Sequence, residues 1–318
     1  MSRVVLVTGA MGCLGAWTVK HLLDDGHRPV AFDLSTDRRR LEALLNPDQL
    51  AAVDFVSGDL TDAEQVTAVV QGRGVEKIVH LAALQVPFCR ANPSLGTRVN
   101  VQGTVHVFEA AKAAGIGHLA YASSIAVYGP ASDYPARDYP SGLVDDSAPK
   151  KPRTIYGVTK IANEGSARIY WSDHRISSTA LRPYTVYGIG RDQGVTSEPS
   201  LAMAAAARGE DSHISFGGEM QFHLASDVAR QFIAAAFEEP SGAQVFDLGG
   251  PVVAVSNIAR IIEDAAPGVK VMVGDATLPF PVGFDDSSLR AHAERVYETP
   301  LEVGVSSTIE AFRGVRTP

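Results

Sequence analysis

Cysteine is scarce: Cys13 and Cys89 are the only two in 318 residues. Two thiols build no disulfide framework in a chain this long, so a reducing, cytoplasmic setting is the expectation. Long apolar runs are also missing. None approaches the ~18 residues of a membrane span. The run Val4–Val7 is too short for the apolar core of a signal peptide. Positive charge is in deficit, with 28 Lys and Arg against 36 Asp and Glu and a net charge of −8. A nucleic-acid binder would instead show a basic footprint. The densest basic run, Arg38-Arg39-Arg40, stands beside Leu41, Leu44 and Leu45 and reads as a solvated helix face. The nine histidines are scattered, and no Cys or His spacing suits a metal, so none is expected. At 45% hydrophobic and 20% charged residues the composition is that of an ordinary globular protein. The length allows one large α/β domain or two modest ones.

The first half alternates strand and helix patterns. Short apolar runs at Val4–Val7, Pro29–Asp33, Ala52–Ser57, Lys77–Leu81 and His118–Ala122 are separated by helical spacings such as Ala16–Leu23. That rhythm predicts a doubly wound parallel α/β sheet of Rossmann type. Two stretches break it. Pro130–Arg153 holds five prolines and Asp275–Ser288 is similar in kind. Each reads as a flap over a site or as a solvated excursion. After Pro183 the pattern becomes less regular, which predicts a smaller second region. Within it Leu201–Ala207 is a good helix former.

Thr8-Gly9-Ala10-Met11-Gly12-Cys13-Leu14-Gly15 lies where the first strand gives way to a helix. Gly9, Gly12 and Gly15 suit a tight turn, close approach to a pyrophosphate and close helix packing. The helix opening at Cys13, Leu14 and Gly15 offers free N–H groups and a positive dipole end to phosphates. Asp33 ends the second strand, 18 residues past Gly15. A carboxylate there accepts both adenosine ribose hydroxyls and repels a 2′-phosphate. Leu34, Ser35 and Thr36 supply no cation, so NAD is expected rather than NADP. The alternative for Asp33 is a cap or turn residue. Asp59 and Leu60, after the third strand, suit an adenine contact.

Tyr156 and Lys160 are four residues apart in a predicted helix, hence on one face. An ammonium beneath a phenol, together with an oxidised nicotinamide, would lower its pKa from ~10 toward a working range for a base. Ser123 and Ser124 come at the carboxyl end of the fifth strand, the edge where open α/β sheets bind ligands. Either hydroxyl there suits a substrate oxygen.

With these residues in order the chain resembles the extended short-chain dehydrogenase/reductases, the NAD-dependent epimerase/dehydratase family. The resemblance also rests on His80-Leu81-Ala82-Ala83, Asn100–Thr104, Ser124–Gly129, Leu181-Arg182-Pro183 and Asp227-Val228-Ala229. It implies that Ser124 is the catalytic hydroxyl beside Tyr156 and Lys160, with Ser123 a neighbour of cofactor or substrate. Leu81, Ala82, Ala83 and Asn100 would serve the cofactor, and Pro183 would abut the nicotinamide. Gln85 and Thr185 would face the substrate. It implies an NAD-binding part over 1–182 and 221–250 and a substrate part over 183–220 and 251–318. It further implies a homodimer through helices near Pro93–Ala114 and Tyr156–His174.

Several departures narrow the reaction. Dehydratases of the family carry Asp-Glu directly after the catalytic hydroxyl, and decarboxylases keep a Glu in the second place. This chain has Ile125 and Ala126. Nucleotide-sugar enzymes hold the diphosphate with an Asn where Thr185 stands and an Arg where Met220 stands; Arg208 or Arg230 is a possible substitute. The expectation is therefore a dehydrogenase acting on a small free sugar, sugar acid or polyol. Arg191 is a candidate for holding a substrate anion, a surface arginine being the alternative, and Arg90 is a weaker one. A sugar epimerase that keeps its NADH is the second reading, and a non-catalytic dinucleotide sensor the third.

Overall fold

A computed structural model describes residues 1–314 of the chain. Strands β1 (Val4–Thr8), β2 (Arg28–Asp33), β3 (Asp54–Ser57), β4 (Lys77–His80), β5 (His118–Ala122), β6 (Ser177–Arg182) and a late strand, Ala243–Asp247, form one seven-stranded sheet. Its spatial order is β3-β2-β1-β4-β5-β6 followed by Ala243–Asp247, and every pairing is parallel. The order reverses between β1 and β4, the switch point where such sheets open a crevice. This is the Rossmann-type sheet expected. The third strand starts later than Ala52, because that residue caps the short helix Pro47–Ala51.

Side chains alternate across the sheet as the period of two requires. Val5, Val7, Ala31, Val79, Ala120 and Leu181 pack on one face. There they meet α1 (Cys13–Asp24) through Ala16, Val19 and Leu22, and the helix Ala225–Glu238 through Val228 and Phe232. Leu6, Val30, Phe32, Ile78, Leu119, Tyr121 and Ala180 pack on the other. They meet α2 (Ala63–Gly72), α3 (Gly103–Ala114) and α4 (Ile155–His174). The segment expected as one helix over Pro93–Ala114 is broken by a π-turn at Arg98–Gln102. A third core gathers Tyr184, Tyr187, Met203, Ile214, Phe216, Met220, Ile258, Ile262, Val305 and Ile309 from the second half. The helix expected at Leu201–Ala207 spans Glu198–Ala207. Among the described residues no helix is long and apolar enough to cross a membrane.

The structure refines two readings of the sequence. Residues 130–153 are mostly exposed, the solvated excursion of the two alternatives, pinned where Tyr134, Val144 and Ala148 are buried in the third core and where Leu143–Val144 pairs with Gly283–Phe284. The run Arg38-Arg39-Arg40 is solvated at Arg38 and Arg39, and only Arg40 turns inward. The helix Arg39–Glu42 is a single turn. Arg38 stacks on Phe55, with Cζ 3.7 Å from the ring centroid. Arg40 donates to Met11 O at 2.8 Å, to Gly190 O at 3.0 Å and to the Asp192 carboxylate at 2.5 Å.

Candidate active site

A cavity of about 810 Å³ opens at the carboxyl edge of β1, β2, β4 and β5. One end is floored by the glycine turn. Gly9 has φ +69°, and a Cβ on it would stand 2.7 Å from Ala82 N. A Cβ on Gly15 would overlap Gly9 O. The turn is thus pressed onto the sheet and α1, while Gly12 caps α1 with no side chain and no acid stands in its first turn. The first N–H groups of a helix lack intrahelical acceptors, so this end is built for an anion. Asp33 Oδ2 accepts from Met11 N and Oδ1 from Ser35 N, both at 2.9 Å, which fixes the carboxylate at the cavity wall. Leu34, Asp59 and Leu60 line the same end, and Cys13, Leu14, Leu81, Ala82, Ala83 and Pro183 also face the cavity. Burial pushes the Cys13 thiol up to about 12. A pyrophosphate cradle, a wall carboxylate and a cleft along the sheet edge fit NAD.

The opposite end holds Ser124, Tyr156 and Lys160. Thr154 caps α4 by accepting from Gly157 N at 3.0 Å. A Cβ at Gly157 would overlap Ala126 O, so a glycine is what lets α4 close on the turn after β5. That contact brings Tyr156 and Lys160 to Ser124, and all three line the cavity. Lys160 is 3% exposed. Its Nζ donates to Ala122 O at 2.6 Å and lies 5.4 Å from the Tyr156 ring centroid. Burial lowers its pKa to about 8. In the protein alone, burial raises the Tyr156 phenol above the usual range, and the Ser124 hydroxyl and the Arg191 guanidinium pull it back.

Two assigned residues do not face the cavity. Asn100 is 1% exposed. The π-turn aims its amide at Leu84, accepting from Leu84 N at 2.7 Å and donating to Leu84 O at 2.9 Å. It therefore shapes the Leu81–Gln85 loop from behind and is absent from the cavity wall. Thr185 is fully buried and donates to Met220 Sδ at 3.3 Å. Strand alternation gives the cavity Tyr184 and Val186 instead. Gln85, Ser123 and Arg191 do line it. The Ser123 hydroxyl, however, donates to Glu164 Oε1 at 2.6 Å, within a buried network of Glu164, Arg182, Tyr128 and Asp247. Sequence reasoning missed Arg40, Gln193, Thr196, Tyr184 and Phe280 in the wall. Of these only Phe280 carried a signal, the irregular stretch Asp275–Ser288.

A parallel Rossmann sheet, a dinucleotide cradle and a Ser-Tyr-Lys group in one cleft define an NAD-linked enzyme of the short-chain dehydrogenase type. Residues 5–249 match the NAD dependent epimerase/dehydratase family, and the chain belongs to that family. It is similar to a UDP-glucose 4-epimerase of Mycolicibacterium smegmatis, 29% identical over 97% of this chain and 98% of that protein. Among solved structures it is similar to MoeE5 in complex with UDP-glucose and NAD, 28% identical with TM-score 0.79 over 98% of each chain. A partial-consensus L-threonine 3-dehydrogenase shares the fold, at TM-score 0.85 and 22% identity over 98% of this chain and 99% of that one. The protein is thus an NAD-dependent enzyme acting on CH–OH groups.

Proposed function

We propose that this chain is a dehydrogenase that oxidises one hydroxyl of a small free polar substrate, a sugar, sugar acid or polyol, with Tyr156 as the base. One observation carries the reading. Among the described residues the only carboxylates lining the cavity are Asp33 and Asp59, both at the dinucleotide end. Ile125 and Ala126 follow Ser124 and are buried. The wall around Tyr156 therefore offers one proton acceptor and no second acid. That suffices to turn a carbinol into a carbonyl and is too little to eliminate water.

Bound NAD supplies the hydride acceptor. Tyr156 Oη receives the hydroxyl proton, and the Ser124 hydroxyl donates to the substrate oxygen. The Lys160 ammonium, held by Ala122 O, favours the phenolate electrostatically. Gly9, Gly12 and Gly15 would bed the pyrophosphate and Asp33 the adenosine ribose. Pro183 would abut the nicotinamide.

In the same reading, residues 1–182 and 221–250 bind NAD, and 183–220 and 251–318 hold the substrate; 315–318 lie outside the described residues. A cytoplasmic homodimer through Pro93–Ala114 and Tyr156–His174 belongs to it, supported by the exposed Ile155, Val158 and Ile169 on α4.

A second reading, a nucleotide-sugar epimerase that retains its NADH, is supported by the end-to-end likeness to the Mycolicibacterium enzyme. Against it, Thr185 and Met220 bond to each other, where family members grip a diphosphate. An NAD-reduction screen over free sugars, sugar acids and polyols separates the two. Release of NADH is expected. Interconversion of UDP-sugars without NADH release would overturn the proposal.

A further inference from the structure

Arg191 is out of balance with its surroundings. Its Nη2 donates to Thr196 Oγ1 at 3.1 Å, but its Nε is shut from solvent with no acceptor. The next residue, Asp192, is taken by Arg40, and among the described residues Arg191 has no carboxylate partner within ion-pair distance. An enclosed N–H without an acceptor, on an unpaired guanidinium, is costly to a fold. A ligand oxyanion reaching the guanidinium from the cavity that Arg191 lines balances its charge and gains charge-assisted hydrogen bonds.

The neighbourhood limits what that oxyanion is. Gly194 lies between Gln85 and Arg191: a Cβ there would come within 2.6 Å of Gln85 Oε1 and 3.1 Å of Arg191 Nη2. Gln85, Gln193 and Thr196 suit hydroxyls, and Tyr184, Val195 and Phe280 close the wall with apolar surface. One partly buried guanidinium, Arg191, matches one carboxylate, and the second cation lining this end, Arg90, is exposed. Arg191 and Tyr156 line the same cavity, so an anion on one and a reacting hydroxyl at the other belong to one ligand.

Resting on the dehydrogenase reading, we infer that the substrate is a short hydroxy-carboxylate, an aldonate or uronate. Arg191, with Thr196 and Gln85, holds its carboxylate while Tyr156 faces the hydroxyl. On oxidation the carbinol C–H bond breaks and its hydride passes to NAD. The O–H proton passes to Tyr156, a C=O bond forms, and the carboxylate is unchanged.

The test titrates the NAD-loaded full chain with four- to six-carbon aldonates and uronates and with their neutral polyols and aldoses, following both binding and NADH release. At least one acid should bind roughly 10–100-fold tighter than its neutral counterpart, the scale of a hydrogen-bonded charge. Arg191→Gln should erase that ratio mainly through KM, slow turnover of acids and neutral counterparts alike because the Tyr156 phenol loses a nearby cation, and respond to added guanidinium ion by partial recovery. Equal use of acids and neutral sugars, with Arg191→Gln indifferent, overturns this inference and leaves the dehydrogenase standing. Preference for sugar phosphates overturns it as well. Turnover of UDP-sugars alone, or of none of the probes, overturns both.

Discussion

Arg182 grips Glu164 with two parallel hydrogen bonds, Nε to Oε1 at 2.7 Å and Nη2 to Oε2 at 2.8 Å, and both side chains are closed to solvent. The third guanidinium nitrogen reaches the Tyr128 hydroxyl at 2.7 Å and Asp247 Oδ1 at 3.3 Å. Burial raises Asp247 to about 6, and Arg182 opposes that rise. This one cation therefore serves two buried acids directly beneath Ser123. Arg182→Met should cost about 3–5 kcal/mol, the scale for stranding buried charge, and lower the melting midpoint by roughly 10 °C. Glu164→Gln, which keeps shape and an acceptor for Ser123, should cost less. Thermal denaturation decides, and a methionine variant as stable as the parent would refute the account.

Tyr156→Phe keeps the ring and removes the proton acceptor. Turnover should drop at least ~100-fold with folding intact. Because burial raises the phenol while Lys160 stays charged below about 8, oxidation by the parent should quicken as pH climbs from neutrality. The gain should level off once Lys160 deprotonates. A flat pH–rate profile, or near-normal activity in the phenylalanine variant, removes Tyr156 from the proton transfer.

Asp33 should make NAD a better substrate than NADP by kcat/KM. Asp33→Asn removes the charge and keeps a carbonyl to accept from the loop, so it should narrow the ratio while NAD use falls modestly. Preference for NADP in the parent protein contradicts the ribose-carboxylate role.

His80, His118 and His21 are held neutral by burial, with pKa values lowered to about 3, 4 and 4. Unfolding restores the ordinary value of 6.5, so the unfolded chain takes up protons first as pH falls. Their contribution is fully present above about 6.5 and is lost as pH drops toward 4. Near pH 4.5 each imidazole should cost the fold about 2–3 kcal/mol. Calorimetry in steps from pH 7 to 4.5 should show a steep fall in midpoint. His80→Gln, which retains hydrogen bonding toward Thr8 and Thr104, should make that fall shallower; an unchanged slope counts against the assignment.

The parts legible in the sequence are those whose geometry is local. The glycine turn, Asp33 at a strand end, and Tyr156 with Lys160 one helical turn apart depend on spacing alone, and so does the sheet rhythm. Asn100 and Thr185 were assigned by position in a motif, but facing is set by packing: a π-turn rotates one toward Leu84, and strand alternation turns the other toward Met220. Arg40 was out of reach for another reason. Its acceptors at Met11 and Gly190 are 29 and 150 residues away, so its sequence neighbours, two more arginines and a leucine, point to a surface.

The Arg40 contacts are joined by two others. Trp17 Nε1 donates to Ile189 O at 3.0 Å, and the Cys13 thiol reaches the same oxygen at 3.6 Å. The turn that carries Arg191 is therefore riveted to the loop and helix that would bed the pyrophosphate. Substrate choice and dinucleotide grip do not vary independently in such a frame. Insertions that retarget the Gly188–Asp192 turn disturb the phosphate bed, whereas changes at Pro279 and Phe280, on a separate strand of chain, leave it alone. Descendants of this protein that acquire new substrates are expected to diverge first at the second wall.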